Sequence, residues 1–201
     1  MDMLSDCHTH NLASENGIIS VKPGFSSFEE GKTYSCGLHP WDENITSESF
    51  EELLKTLNHP QVVAIGECGL DRLRGAPLPF QKDIFLKHID LSESLRKPLI
   101  IHCVRAGDEL LRLKKEKNPH NPWIFHGFRG GFIQAKQLTD AGIYISLGEK
   151  FNKEALKGIP DSFLLTETEE SKLTIDEIAS RIKEDALEIS TINLNKILNG
   201  E

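Results

Sequence analysis

Leu99-Ile100-Ile101-His102 is a short apolar run that ends in histidine, and Trp123-Ile124-Phe125-His126 repeats the same pattern. Each run has the length and composition of a buried strand. Residues 106–116 lie between them and carry the apolar spacing of an amphipathic helix. A strand, a helix and a second strand in this order predict two parallel neighbours in an α/β sheet.

The same alternation extends outward over the whole chain. It predicts eight strands, over residues 3–8, 18–21, 33–38, 62–67, 99–104, 123–127, 143–147 and 163–167. It also predicts helices, over residues 47–57, 79–96, 106–116, 132–141, 153–157 and 175–190. Eight strands that alternate with helices favour a (β/α)8 TIM barrel of the α/β class.

The connection between the first two predicted strands is unusually short. Residues 11–17 leave too little chain for a crossover helix, so we expect a compact barrel that lacks the first one. The length of 201 residues agrees with this expectation, because barrels of this kind typically have about 250 residues. We expect a single domain over residues 1–201.

Composition limits the classes of protein to which the chain can belong. Apolar and charged fractions of 38% and 27% are ordinary for a soluble protein, and no apolar run is long enough to cross a bilayer. The first residues lack the basic and apolar regions of a signal peptide, so we expect a cytoplasmic protein. We infer no obligate protein partner from the sequence. A net charge of −8 argues against a broad nucleic-acid surface, so a nucleic-acid substrate would need bound cations and local arginines.

The four cysteines show no CxxC spacing, which argues against a zinc ribbon. Cys7, Cys68 and Cys103 each adjoin a candidate site residue on a predicted strand. Because side chains alternate between the two faces of a strand, we expect these cysteines to point outward, beneath the helices. We interpret them as small buried hydrophobic residues.

A pair of histidines ends the first predicted strand, in the segment Asp6-Cys7-His8-Thr9-His10. His8 and His10 are two positions apart and therefore face the same way. Two imidazoles that converge at the end of a barrel strand can hold one divalent ion. Asp6 shares their parity and could orient one of them.

A carboxylate interrupts the fourth predicted strand. The apolar run of residues 62–65 stops at Glu67, which glycines flank on both sides. A barrel interior tolerates a carboxylate only if it is paired or binds a metal, so Glu67 is a candidate ligand able to bridge two ions. Asp71 could orient a ligand or fix the loop, and His39, after the third strand, could be a ligand, a substrate contact or a packed loop residue.

Histidines end the fifth and sixth predicted strands. At either one alone, a hydrogen-bonded core histidine would be an ordinary explanation, but five polar strand ends in one chain indicate that His102 and His126 belong to a shared site. Arg105 and Arg129 follow them on loops and could clamp a phosphate or simply lie on the surface.

Acidic residues end the last predicted strand, in the segment Thr166-Glu167-Thr168-Glu169. Glu167 and Glu169 lie on the same face. One of them could complete a metal site or act as a general base toward a water molecule that the metal activates. An acidic surface turn is the other explanation.

Taken together, these motifs resemble the TatD family of metal-dependent hydrolases, within the amidohydrolase-type barrels. The most specific are IGECGLD and the pair IHC and HGF. The resemblance covers nearly the whole chain, through DCHTH (6–10), GLHPW (37–41), IGECGLD (65–71), Gln81 to Phe85, KPLIIHCVRA (97–106), FHGFRGG (125–131), YISLG (144–148), LLTETEE (164–170) and residues 189–193.

The resemblance implies a ligand set for one or two divalent ions, with Zn, Mg and Mn as candidates. His8 and His10 would bind one ion, and Glu67 would lie between two. His102 and His126 would hold the second ion. The resemblance also implies a deoxyribonuclease that acts on DNA phosphodiester bonds.

The sequence departs from the family pattern at three points. The family's last ligand is the aspartate of an E-T-D motif, and Glu169 stands at that position here, so it is expected to serve as ligand or as general base, in preference to Glu167. Arg72 stands where the family usually has tyrosine. The third departure is the missing crossover helix, which would reshape one wall of the cleft.

In the mechanism that this set implies, a water activated by the metal attacks phosphorus in line, and arginines stabilise the developing charge. The expected substrate contacts are His39, Arg72, Arg105 and Arg129. Three alternatives stay open: hydrolysis of a small phosphoester, lactone or amide at the same site, a polymerase-type phosphoesterase, and a non-catalytic barrel. The polymerase-type enzymes would need further histidine motifs that this sequence lacks.

Overall fold

The computed structural model describes residues 3–200, so Met1, Asp2 and Glu201 of the predicted 1–201 domain lie outside it. Eight strands form one sheet in chain order, and every neighbouring pair is parallel. The strands are β1 Asp6–Thr9, β2 Gly17–Val21, β3 Thr33–Cys36, β4 Val62–Asp71, β5 Leu99–Val104, β6 Trp123–Phe125, β7 Ile143–Leu147 and β8 Leu164–Thr166. The predicted barrel is confirmed.

The barrel closes between β1 and the segment that follows β8. Thr9 and Glu169 form a parallel bridge across this seam. The Glu169 N–H donates to the carbonyl oxygen of His8 at 3.0 Å, and the His10 N–H donates to the carbonyl oxygen of Glu169 at 3.0 Å. The seam therefore holds two candidate ligand segments side by side.

Six α-helices pack around the sheet. They are α1 Ser47–Leu57, α2 Leu78–Leu95, α3 Gly107–Lys117, α4 Phe132–Asp140, α5 Ile175–Ile182 and α6 Ala186–Asn199. The predicted helix at residues 153–157 is a 3₁₀ helix, Lys153–Gly158. None of the helices in residues 3–200 has both the length and the apolar character needed to cross a bilayer.

The prediction of one continuous helix over residues 175–190 is wrong. Lys183 is extended, with φ −167° and ψ 165°, and it separates α5 from α6. The break lets α6 turn onto β8, where the Ser190 Oγ accepts the Thr166 N–H at 2.8 Å and the Asn193 Nδ2 donates to the Leu164 carbonyl at 2.9 Å. Tertiary hydrogen bonds thus override a helical pattern that is continuous in the sequence.

Two connections lack a helix. The absence in the first connection, between β1 and β2, is confirmed, and residues 22–32 between β2 and β3 also form no helix. Aromatic side chains of this second connection cover the outer face of β3 instead: the rings of Phe25 and Phe28 lie 5.5 and 5.1 Å from that of Tyr34. This packing replaces a helix with fewer residues, which explains how so short a chain completes the barrel.

The barrel interior contains a small apolar cluster below the polar strand ends. It draws one residue from each of several strands, namely Cys7, Ile18, Ala64, Ile100, Ile124 and Leu165. Leu4 and, from α6, Leu194 and Ile197 pack against these residues and cover that end of the barrel. A second, larger cluster lies between the outer strand faces and the helices.

The cysteine predictions are right at two positions and wrong at one. Cys68 and Cys103 pack in the outer cluster, beneath the helices. Cys7 instead belongs to the inner cluster, and its Sγ donates to the Ser146 Oγ at 3.0 Å. The cause is an irregular register between Asp6 and Thr9, which breaks the simple alternation of side chains along β1.

Two glycines bring β4 close to β5 on either side of Glu67. A Cβ atom on Gly66 would lie 2.4 Å from the carbonyl oxygen of Ile100, and one on Gly69 would lie 2.1 Å from that of His102. Any other residue at these positions would push the two strands apart. The glycines therefore set the separation between Glu67 and the histidine that ends β5.

Candidate metal centre

Histidine and carboxylate side chains from the carboxyl-terminal parts of six strands and the loops after them meet at one end of the barrel, and the Glu67 carboxylate lies at their centre. Its Oε1 atom faces the first strand, 2.9 Å from the Nε2 of His10 and 3.3 Å from the Nε2 of His8. These three side chains and Glu169 offer ligand atoms within 4.8 Å of one another. We call this group the first position.

The other oxygen of Glu67 faces a separate set of histidines. Its Oε2 atom lies 2.9 Å from the Nε2 of His126, 3.8 Å from the Nδ1 of His102 and 3.6 Å from the Nε2 of His39. We call this group the second position. The two oxygens of one carboxylate thus serve two histidine sets, an arrangement that suits a carboxylate bridging two cations.

Glu169 reaches the first position although its side chain is one methylene longer than the family's aspartate. Its Oε2 lies 2.8 Å from the Nε2 of His8 and 3.8 Å from both the Nε2 of His10 and the Nδ1 of His126. The residue has a left-handed backbone, with φ +56°, at the seam with β1. The seam hydrogen bonds fix the backbone, and the carboxylate extends from it to the histidines.

Glu167 lies deeper than Glu169. Its side chain is 1% exposed, against 33% for Glu169, and its Oε1 is 3.5 Å from the Nδ1 of His126. The Cys7 Sγ is 3.9 Å from its other oxygen. Glu167 is therefore placed behind His126, away from the solvent that reaches Glu169.

Buried polar atoms without hydrogen-bond partners test whether this centre fits a metal. Those at the centre are both ring nitrogens of His8 and of His126, the Glu167 Oε1 and the Glu169 Oε2. These atoms lie close together, but their relative orientations do not meet the geometry of a hydrogen bond. Buried polar groups are almost always satisfied in folded proteins, and convergent imidazole nitrogens and carboxylate oxygens are the ligands of Zn and related divalent ions. The residues fit such ions.

The charges at the centre are tightly coupled. Burial and the neighbouring His126 disfavour a proton on His8, but the Glu67 and Glu169 carboxylates outweigh them and raise the pKa of His8 to about 9. Burial also opposes the charged form of Glu67, yet the histidines hold the pKa of that carboxyl far below its usual range. Protons on histidines therefore balance the carboxylates when no cation does, and a bound cation would displace them.

Asp71 orients the histidine that ends β5. Its Oδ2 lies 3.1 Å from the Nε2 of His102 and accepts the Trp41 Nε1–H at 2.7 Å. This contact makes Nε2 the proton-bearing nitrogen of a neutral ring and leaves the Nδ1 lone pair directed at the second position. Of the two predicted roles, Asp71 can fill both, because its other oxygen accepts the N–H of Leu73.

His39 has a different hydrogen-bond pattern from the other histidines of the second position. Its Nδ1 accepts the backbone N–H of Trp41 at 3.1 Å, and the Asp42 carboxylate accepts the His39 N–H at 2.9 Å. In the neutral ring the proton then lies on Nε2, so His39 presents an N–H donor to the cleft. This geometry favours a substrate contact over direct metal binding.

The three predicted phosphate-binding arginines differ in their partners. Arg72 forms a bidentate pair with Asp108, at 2.7 and 2.9 Å, and donates to the carbonyl oxygen of Arg105 at 2.8 Å. Arg105 and Arg129 are exposed, and neither has a carboxylate within ion-pair distance among residues 3–200. Arg72 therefore anchors the loop of Arg105, and the unpaired guanidinium groups are those of Arg105 and Arg129.

The Asp6 carboxylate accepts from backbone N–H groups and from the Thr168 hydroxyl, and it has no hydrogen bond with an imidazole among residues 3–200. Its carboxylate accepts the His8 N–H at 3.2 Å, the Thr168 N–H at 3.0 Å and the Thr168 hydroxyl at 2.6 Å. Burial raises the pKa of Asp6 to about 6. The expected contact with a histidine ring is thus replaced by a clamp across the barrel seam.

Sequence reasoning missed two residues that support the centre. Gln81 is buried on α2, where its amide holds the β4 loop through Asp71, Arg74 and Ala76. A glutamine among the apolar positions of a helix was the available signal. Trp41, which donates to Asp71, had no such signal, because nothing in the sequence relates it to a residue of another loop.

A parallel eight-stranded barrel with histidines and carboxylates at the carboxyl ends of its strands is the architecture of metal-dependent hydrolase barrels. A sequence model described as TatD related DNase matches residues 20–183. The chain belongs to this family.

Individual relatives agree with the family match. The chain is 34% identical over 157 residues to the 3'-5' ssDNA/RNA exonuclease TatD of Klebsiella pneumoniae, which covers 72% of this chain. It is 36% identical over 148 residues to the 3'-5' RNA nuclease TATDN2 of Homo sapiens, which covers 66% of this chain. The chain spans 59% of the length of the first relative and 19% of the second.

A solved structure supports the fold. The TatD homologue YjjV of Escherichia coli K12 superposes with a TM-score of 0.70 at 21% sequence identity, over 92% of this chain and 82% of that one. At this level of identity the likeness concerns the fold alone. Other relatives carry the names of metal-dependent hydrolases.

Proposed function

We propose that this chain is a divalent-metal-dependent deoxyribonuclease that hydrolyses phosphodiester bonds of DNA. The observation that carries the proposal is the Glu67 carboxylate, whose two oxygens face separate histidine sets. The unpartnered nitrogens of His8 and His126 support metal ions as the missing partners. The printed names of relatives, which include a ssDNA/RNA exonuclease and an RNA nuclease, support a nucleic-acid substrate.

Two positions are available for one or two ions. His8, His10, Glu67 and Glu169 would hold the first, and His102 and His126 would hold the second together with Glu67. When bound, a divalent ion supplies Lewis-acid chemistry, which lowers the pKa of water and offsets phosphate charge. Zn, Mn and Mg are the candidate ions, because imidazole and carboxylate together suit the first two and carboxylate the third.

Glu169 is the better placed of the two acids to take a proton from the attacking water. Its carboxylate is one third exposed and lies at the first position, whereas the Glu167 side chain is closed off from solvent. A general base must come within hydrogen-bond reach of the proton that it accepts. Glu167 instead lies behind the ring of His126, with its Oε1 3.5 Å from the Nδ1 of that ring.

The substrate phosphate would meet donors at the rim of the cleft. His39 presents an N–H, and Arg105 and Arg129 carry exposed guanidinium groups. These donors can stabilise the charge that develops on a phosphate during in-line attack. Attraction of the substrate is then local, which reconciles a polyanionic substrate with a net charge of −8.

Replacing one histidine tests the proposal. We expect His102→Ala to abolish metal-dependent cleavage of single-stranded DNA while circular dichroism shows a folded barrel. His120→Ala is the matched control, because His120 is an exposed histidine whose ring pairs with Glu93. Unchanged cleavage by His102→Ala would refute the proposal.

Two further measurements test the alternative functions, which are a hydrolase of small phosphoesters, lactones or amides and a non-catalytic barrel. A panel of small phosphoesters, lactones and amides, each with Mg²⁺, Mn²⁺ and Zn²⁺, identifies an enzyme whose substrate is not DNA. Glu169→Asp restores the family's residue at the one replaced ligand position. An inactive wild type beside an active Glu169→Asp variant would identify a degenerate barrel.

A further inference from the structure

Trp41 is a rigidly held aromatic side chain at the mouth of the barrel. It lies in the loop after β3, and its indole is 41% exposed. The Nε1–H donates to Asp71 at 2.7 Å, and the Arg74 guanidinium lies 4.1 Å from the ring centroid. These two contacts fix the orientation of the ring: the guanidinium covers one face, and the residue keeps 41% of its surface exposed.

The indole adjoins the candidate metal centre directly. Its centroid is 5.3 Å from that of His102 and 4.7 Å from that of His39, both in edge-on arrangements. A nucleotide whose phosphate lies at the second position would therefore carry its base toward Trp41. Hydrogen bonding to Asp71 accounts for the Nε1–H, but it gives no reason for an exposed apolar ring at this site.

A groove of about 440 Å³ runs alongside Trp41, and its chemistry suits a base better than a phosphate. It contains neither lysine nor arginine. Asp42, Glu43 and Asn44 offer oxygen acceptors to amino groups on a base, and the same carboxylates repel the phosphate backbone. The groove is lined, besides Trp41, by Leu38, Asp42, Glu43, Asn44, Ile45 and Ser49.

We propose that Trp41 is a stacking platform for an unpaired nucleobase next to the bond that is cleaved. This inference rests on the proposed nuclease function and adds to it the residue that would hold an unpaired base, because a paired base would not fit the groove beside Trp41. Base stacking on an aromatic side chain changes affinity by about 5- to 150-fold per base. The Arg74 guanidinium lies over one face of the ring and would hold it from there, so the base would stack on the opposite face.

Two substitutions separate stacking from the support of Asp71. Trp41→Phe keeps an aromatic face but loses the Nε1–H, and Trp41→Leu loses both. The probe is a short single-stranded DNA with phosphorothioate terminal linkages, which resist hydrolysis, in Mg²⁺, and its affinity is measured by fluorescence anisotropy. We expect Trp41→Leu to weaken binding by about 5- to 150-fold and Trp41→Phe to retain most of the affinity. Equal affinities for the wild type and Trp41→Leu would overturn the proposal.

A modified probe locates the stacked base. We expect the wild type to lose affinity when the terminal nucleotide lacks its base, and Trp41→Leu to lose nothing further. Losses of equal size in both proteins would mean that the base contacts another residue, and would also overturn the proposal.

Intrinsic fluorescence gives a direct readout, because the chain has two tryptophans and Trp123 is fully buried. In a Trp123→Phe variant, the single-stranded probe should quench the emission of Trp41, and a blunt duplex of the same sequence should not. Equal quenching by the duplex would refute the preference for single strands. Binding with Trp41-dependent quenching but without cleavage of normal DNA would refute the hydrolytic function alone, and absence of any binding would refute both.

Discussion

The lower and upper halves of the barrel interior use the same strands for opposite purposes. Ile100 and Ile124 lie in the apolar inner cluster, whereas His102 and His126, two positions further along the same strands, line the metal centre. Two residues of strand span only about 7 Å. The chemistry of the interior thus changes within one side-chain layer, and we infer that the lower layer stabilises the barrel while the upper layer serves function.

The largest effects should come from two matched substitutions, one within β6 and one directly after it. Ile124→Ala should lower the free energy of unfolding by about 2–5 kcal/mol through a cavity in the inner cluster. His126→Ala should instead lower metal-dependent activity by more than about 100-fold, beyond the loss typical of residues that only support a ligand. Urea unfolding and single-strand cleavage, measured on both variants, check the two results.

The stabilisation that metal binding provides gives a second comparison of Ile124→Ala with His126→Ala. At an ion concentration of about 100 times Kd, the wild type should gain about 2.7 kcal/mol in unfolding free energy, and Ile124→Ala should gain as much. His126→Ala should gain little. A variant at Ile124 that loses the metal-induced gain as completely as His126→Ala would show that the two layers are not separable.

The sequence predicts features that depend on local patterns better than features that depend on distant contacts. The apolar strand runs and their polar ends are local patterns, so the barrel, the missing first helix and the grouping of Glu67 with histidines could all be anticipated. Features that depend on contacts between distant segments could not be anticipated from the sequence. The irregular register that turns Cys7 inward lies in the pairing of β1 with β2, and the break at Lys183 accompanies hydrogen bonds between α6 and β8.

At the candidate site, the sequence did not predict which side chains pair with one another. Arg72 was expected to bind substrate, but it meets Asp108, which lies 36 residues further along the chain. That pairing depends on the distance between the β4 and β5 loops, which no pattern in the sequence reports. The substrate role of Arg72 stays a prediction, and its observed contacts are with the loop that carries Arg105.

A smaller effect should come from the residue that orients a histidine of the upper layer. Asp71→Asn should weaken metal affinity by about 10- to 100-fold, because an amide carries no charge and has only one acceptor oxygen: it can replace either Oδ2, which meets His102 and Trp41, or Oδ1, which accepts the Leu73 N–H, but not both. Calorimetric titration with Mn²⁺ or Zn²⁺ measures the change. Asp108→Asn removes an exposed carboxylate of the neighbouring loop and should leave metal affinity unaltered. If Asp71→Asn binds metal as tightly as Asp108→Asn, the orienting role is wrong.

The smallest effect concerns a buried histidine outside the centre. His88, on α2, accepts the Leu38 N–H at 3.0 Å and contacts the Ile84 carbonyl at 2.8 Å, so both of its nitrogens have partners. Burial lowers the pKa of His88 to about 4, below its unfolded value of 6.5. The neutral ring therefore contributes stability above the unfolded pKa, and this contribution is lost as the pH falls toward 4.

Comparing the wild type with His88→Gln isolates the contribution of the neutral His88 ring to the free energy of unfolding. Between about pH 7.5 and pH 6, the difference in unfolding free energy between wild type and variant should shrink by about 0.8 kcal/mol. Chemical denaturation at both pH values in the presence of a chelator measures it. A difference that stays constant or grows as the pH falls would contradict the assignment of His88 as a neutral structural residue.

The short link between β1 and β2 has a kinetic consequence. With no helix above it, His10 is 39% exposed, more than any other histidine around Glu67, whereas His126 is 6% exposed. An ion at the first position would have an open route to solvent, and one at the second would sit behind its ligands. The two occupants would then leave at different speeds, with a chelator stripping the outer ion early and the inner one late.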